Sequence, residues 1–134
     1  MNNLKIRKGS ATTSGVVYNW NGKKLIKGSA SHGEVLYNFD GAVIREGNSK
    51  FNKALYNWDG TNLRAGSMKN GNILYNYVGD NLIKGSASTG SVAYNWSGGK
   101  LRAGNQEDGN IEYNWDGDIP VPIIIMVLLR DGKL

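Results

Sequence analysis

The chain has 134 residues, with 16 Lys and Arg against 11 Asp and Glu and a formal net charge of +5. That length fits one small domain able to bury a core unaided, and the absence of cysteine excludes a disulfide framework, thiolate catalysis and zinc sites with sulfur ligands. Glycine, at 19 residues, is about double its usual ~7% share, and both prolines lie near the C-terminus. With many Tyr, Trp and Val, this is the composition of short strands joined by tight turns.

In chain order, Met1-Asn2-Asn3-Leu4-Lys5 lacks the apolar core of a secretory leader. The protein is therefore expected in the cytoplasm if this N-terminus is native, and outside the cell if a leader has been removed. Residues 4–15, with Ile6-Arg7-Lys8-Gly9-Ser10, read as the second half of a unit whose first half is missing. Residues 16–117 then hold a 19-residue repeat. Tyr18, Tyr37, Tyr56, Tyr75, Tyr94 and Tyr113 are evenly spaced, each followed by Asn and then by Trp20, Phe39, Trp58, Tyr77, Trp96 or Trp115. A glycine comes two residues later, then an aliphatic (Leu25, Ile44, Leu63, Leu82, Leu101) and a second glycine (Gly28, Gly47, Gly66, Gly85, Gly104).

Each unit reads as strand, turn, strand, bend. Val16-Val17-Tyr18-Asn19-Trp20 alternates with period two, and Asn21-Gly22, Asp40-Gly41, Asp59-Gly60 and Asp116-Gly117 are tight-turn dipeptides. The unvarying unit length favours an all-β solenoid, because stacking forces each coil into the same circumference, with the repeated Asn forming an amide ladder between coils. The alternative is a β-hairpin meander closed into a barrel or a propeller-like array, which the Asp-Gly turns and the bulk of Tyr and Trp support.

Residues 118–134 abandon the pattern for Ile119-Pro120-Val121-Pro122 and the apolar run Ile123–Leu129. Exposed, that run is an aggregation hazard, so it is expected to cap or plug the single repeat domain; a homo-oligomer formed through it is the second reading. No transmembrane span is expected, since a helix needs about 20 apolar residues to cross a bilayer.

No constellation marks catalysis. His32, the single histidine, stands at a turn position held elsewhere by Phe51, Asn70, Thr89 and Asp108, which reads as a solvated turn and leaves a Ser-His-Asp triad without a base. Asp40, Asp59 and Asp116 are turn formers, and Glu34, Glu46, Asp80, Glu107, Asp108, Glu112 and Asp118 share no position. No calcium-binding repeat and no Gly-Lys-Ser/Thr phosphate loop is present. The expectation is a non-enzymatic binding or scaffold module without cofactor or metal.

Two surfaces are candidates for a ligand. The pairs Tyr18/Trp20, Tyr37/Phe39, Tyr56/Trp58, Tyr75/Tyr77, Tyr94/Trp96 and Tyr113/Trp115 form a core if they face inward and a sugar-stacking array if they face outward; Val16, Val35, Ile73, Val92 and Ile111 share their alternation and favour the core. Lys27, Arg45, Arg64, Lys84 and Arg102, each just before the second glycine, form a basic stripe that suits a polyanion such as a nucleic acid or an anionic glycan, or that serves solubility alone. The Tyr-Asn-Trp-x-Gly core of the unit resembles the choline- and glucan-binding repeats of bacterial surface proteins. That resemblance implies a carbohydrate-binding module, but those repeats carry further aromatics in the second strand where this chain has Lys, Leu, Ile and Arg, so their pocket does not carry over.

Overall fold

A computed structural model describes residues 3–87, 89–105 and 109–134. Each repeat folds as a β-hairpin. The first strands are β2 (Val16–Trp20), β4 (Val35–Phe39), β6 (Ala54–Trp58), β8 (Ile73–Val78), β10 (Val92–Ser97) and β12 (Ile111–Trp115). The second strands are β1 (Leu4–Lys8), β3 (Lys24–Lys27), β5 (Val43–Glu46), β7 (Asn62–Ala65), β9 (Asn81–Lys84) and β11 (Lys100–Ala103). All neighbours are antiparallel and the sheet closes on itself as a twelve-stranded barrel, β1 lying between β12 and β2.

The chain is therefore all-β in its repeats, and the architecture is the closed meander, not the solenoid. Equal unit length has another cause: a ring closes only if each hairpin contributes the same two strands at the same register. Trp20 faces Leu25 and Asn19 faces Ile26; across the closure Trp115 faces Ile6 and Asn114 faces Arg7 in the same relation. The half unit at the N-terminus thus completes the sixth hairpin with β12. Closure removes both sheet edges, which would otherwise template association.

The hairpin turns follow their residues. Asn21 Oδ1 accepts hydrogen bonds from the Lys23 and Lys24 amides at 2.9 and 2.8 Å, and Asp40 and Asp59 repeat the device. Where that residue is Val78 or Ser97, the strand runs one residue further and Gly79-Asp80 or Gly98-Gly99 turns with positive φ at both positions. Gly99 has a second reason to be glycine, because a Cβ there would lie 1.9 Å from the Trp115 carbonyl oxygen.

The repeated Asn forms no ladder. Each is buried and ties down the long loop that follows its own hairpin. Asn19 Nδ2 donates to the Gly28 and Ala30 carbonyls at 2.8 and 3.2 Å, and Asn38, Asn57 and Asn76 do the same in their units. Asn114 reaches across the closure to Gly9 and Ala11. Because the strands alternate, Asn points outward and holds the loop against the barrel, while Tyr, the second aromatic and the aliphatic point inward. Ile6, Leu25, Ile44, Leu63, Leu82 and Leu101 are wholly buried.

The C-terminal run fills the lumen as helix α1 (Val121–Arg130), with Ile123 to Leu128 at most 1% exposed. It is thus a plug within its own chain. An Ile/Val-rich run prefers strand, but a closed barrel offers no edge to pair with. Inside an apolar lumen only a helix satisfies its own amides and carbonyls. Dimensions agree: ten helical residues rise about 15 Å, and five strand residues about 16 Å. Pro122 occupies the first turn, where no amide hydrogen is needed. At the other end Gly132 has φ +72°, and the Gly132 and Lys133 amides return to the Leu129 and Leu128 carbonyls in a Schellman closure. Among the described residues no helix is long and apolar enough to cross a membrane.

Truncating a plug residue should open a cavity that the ring cannot collapse. Ile125→Ala is expected to cost about 2–5 kcal/mol, read from the shift of the urea midpoint at unchanged slope.

Candidate ligand-binding grooves

Tyr18, Trp20, Phe39, Tyr75, Tyr94, Trp96, Tyr113 and Trp115 are buried, and Tyr37, Tyr56, Trp58 and Tyr77 are half-buried against the same core. The pairs face the helix, sharing a side with the Leu25-type residues, so no outward sugar-stacking array is displayed. Tyr77 stacks on Trp96 with centroids 4.6 Å apart, and Trp96 meets Trp115 edge-on. Three tyrosines also hold the plug in place. Tyr18 and Tyr113 donate to the two carboxylate oxygens of Asp131 at 2.6 and 2.5 Å, and Tyr94 donates to the Lys133 carbonyl at 2.9 Å. A carboxylate at a helix C-terminus opposes the helix dipole, and the two phenols offset that.

The basic stripe divides. Arg45 and Arg64 point outward and pair with the turn carboxylates of Asp40 and Asp59 at 3.4 and 2.6 Å, while Arg102 donates to the Gly109 carbonyl at 3.0 Å. Arg7 and Asp116 make the equivalent contact across the closure at 4.0 Å. These guanidinium groups are half-buried struts of the hairpins. Asp59 is held well below the usual carboxylate range, first by Arg64 and then by the Asn62 amide; Asp40 is lowered chiefly by the Val43 amide. Lys27 and Lys84 occupy the next position along the strand, facing a Tyr across the hairpin at the rim where the helix ends, and both are exposed. The five cations therefore form no single stripe. His32 is exposed in its loop, whereas Glu107 and Asp108 lie outside the described residues.

Concavities recur where one unit meets the next. One of about 620 Å³ lies over the cross-strand pair Lys24–Asn38. Others, of about 390 and 330 Å³, lie over Val43–Asn57 and Asn81–Asn95, the same pair one and three units on. The fold thus repeats a groove while the sequence varies its lining. The second groove has Lys69 beside the Arg64–Asp59 pair, and the third has Arg102 with Asp80. The first is cationic: Lys23, Lys24 and Lys50 line it, and its single carboxylate, Asp40, is already engaged by Ala42, Val43 and Arg45. Trp20, Phe39 and Pro120 contribute apolar edges.

Sequence reasoning passed over Lys23, Lys24 and Lys50, because they stand in a turn and a loop of successive units. Their signal was departure from the repeat: the places of Lys23 and Lys24 are held by Ala42-Val43 and Thr61-Asn62 in the next two units.

Burial raises the phenols of Tyr18, Tyr75, Tyr77, Tyr94 and Tyr113, and the Asp131 carboxylate raises Tyr18 and Tyr113 further. A raised folded value contributes stability that is complete below the ordinary phenol value of about 10 and lost as pH rises through the folded value. Titration at the phenolate absorbance should show these five ionising above pH ~10, and Asp131→Ala should bring Tyr18 and Tyr113 earlier.

A family described as the 6-fold beta flower protein has a model that matches residues 1–66 and, overlapping, residues 44–120. No curated protein and no solved structure matches the chain. The overlap reflects the repeat, since either stretch can be laid on the same hairpins. Six hairpins in a ring agree with a six-fold description, and the chain belongs to the 6-fold beta flower family.

Proposed function

We propose that the protein is a non-enzymatic binding module, and that the groove over Lys24 and Asn38 takes an anionic sugar. The observation that carries this reading is the convergence of Lys23, Lys24 and Lys50 on one concavity with an apolar border. Among the described residues none of the three ammonium groups makes an ion pair within the chain. A carboxylated or sulfated sugar supplies the missing counter-charge, and its ring lies against the apolar border of the groove. The exposed Asn48 amide on the groove wall suits a hydroxyl. The non-enzymatic part rests on the employment of the polar groups: His32 is solvated in a loop, and Asp40 and Asp59 are committed to turns.

A sulfated heparin tetrasaccharide is the probe. Calorimetry should show binding that weakens steeply with salt, and the unsulfated tetrasaccharide should bind far less. Lys23→Ala/Lys24→Ala/Lys50→Ala should weaken it at least tenfold, about 1.4 kcal/mol, at unchanged thermal stability. Equal affinity in the triple variant, or no binding by the parent, would refute the reading.

A further inference from the structure

Two neighbouring loops differ from the rest. Residues 47–53, between β5 and β6, present Phe51, which is 87% exposed; residues 66–72, between β7 and β8, present Met68, which is 63% exposed. His32, Asn70 and Thr89 stand where Phe51 does, and Ala30, Ser49 and Ala87 where Met68 does, so the repeat does not require an apolar side chain at either place. Phe51 makes a ring contact with the Lys50 ammonium, 5.4 Å from its centroid. Lys50 and Lys53 flank Phe51, Lys69 follows Met68, and neither loop contains an acidic residue.

Both tips are held in place. Asn38 binds the Gly47 and Ser49 carbonyls, and Asn57 binds those of Gly66 and Met68. Ser49 Oγ accepts from the Phe51 amide at 3.1 Å, and Asn52 Nδ2 donates to the Glu46 carbonyl at 2.8 Å. The loops leave the same rim two strands apart, roughly 10 Å at the usual strand spacing. A flat surface laid against a ring touches two adjacent projections.

We propose that this sector of the ring docks on an anionic lipid bilayer, Phe51 and Met68 entering the interface while Lys50, Lys53 and Lys69 meet the headgroups. Separate convex tips, each an apolar residue beside ammonium groups, fit a deformable anionic interface. They lack the continuous apolar core of a protein interface.

The test is flotation of the full chain with vesicles of phosphatidylcholine alone or mixed with phosphatidylglycerol. Binding is expected to the mixed vesicles only, and to fall as salt is raised. Phe51→Ser/Met68→Ser should reduce it at least tenfold, as should Lys50→Gln/Lys53→Gln/Lys69→Gln; the separate single variants Phe51→Ser and Met68→Ser should each fall between parent and double variant. The Phe51/Met68 variant keeps every groove lysine, so its binding of the sulfated tetrasaccharide should not change, which separates this proposal from the preceding one. Equal flotation with neutral vesicles, no flotation, or full binding by the double variant would overturn it. So would self-association in solution that the double variant abolishes while vesicle binding is absent.

Discussion

Twelve strands closed into a ring enclose a space too wide for their own side chains to fill, and the structure depends on what occupies it. Eight-stranded barrels are just filled from the wall, whereas much larger ones leave a channel. Here the inward Tyr, Trp and Leu positions narrow the lumen to about the width of a helix, and α1 occupies it. The helix has no polar stripe because it has no solvent side, as expected of a fully buried helix. Ring and plug require each other: without α1 the aromatic wall faces a void, and without the wall an Ile/Val-rich run has nowhere to be buried.

The same division explains which positions of the repeat are constant. Tyr, Asn, the second aromatic and the aliphatic are each engaged by core, helix or loop, so all six copies retain them or a close equivalent. Other positions, such as those of Lys23, Lys24, Lys50, Phe51 and Met68, carry no such duty and differ from unit to unit. The hairpins are thus equivalent on the inside and individual on the outside. Lys23, Lys24 and Lys50, with Phe51 and Met68, gather at neighbouring units of the ring. Six-fold geometry supplies repeated concavities, and departures from the repeat make one of them cationic.

The N- and C-terminal strands have equal standing in this arrangement. β1 pairs with β12 as any second strand pairs with its own first strand, down to the Asn114 bonds to the loop after β1 and the Arg7–Asp116 contact. Ring closure therefore costs the chain a long-range pairing, and in return leaves no exposed sheet edge.

Much of this was legible in the residues. The 19-residue period, the tight turns at Asn-Gly and Asp-Gly, the shared face of Tyr and Trp, and the need to cover Ile123–Leu129 follow from spacing and side-chain chemistry, which are local properties. Solenoid against barrel was not legible, because equal unit length satisfies both closures and only strand pairing distinguishes them. The role of the conserved-looking Asn was misread for the same reason: its partners are carbonyls nine and eleven residues on, brought near by the bend of the loop. The basic stripe dissolved because adjacent positions on a strand face opposite sides, sending Arg45 and Arg64 to turn carboxylates, Arg102 to a loop carbonyl and the lysines to a rim. The sequence by itself determined equal strand-turn-strand units and an apolar end that had to be covered. Only the tertiary structure decided that the end is a helix within a ring, and which lysines share a groove, because lumen width and the proximity of separate loops arise when the twelfth strand meets the first.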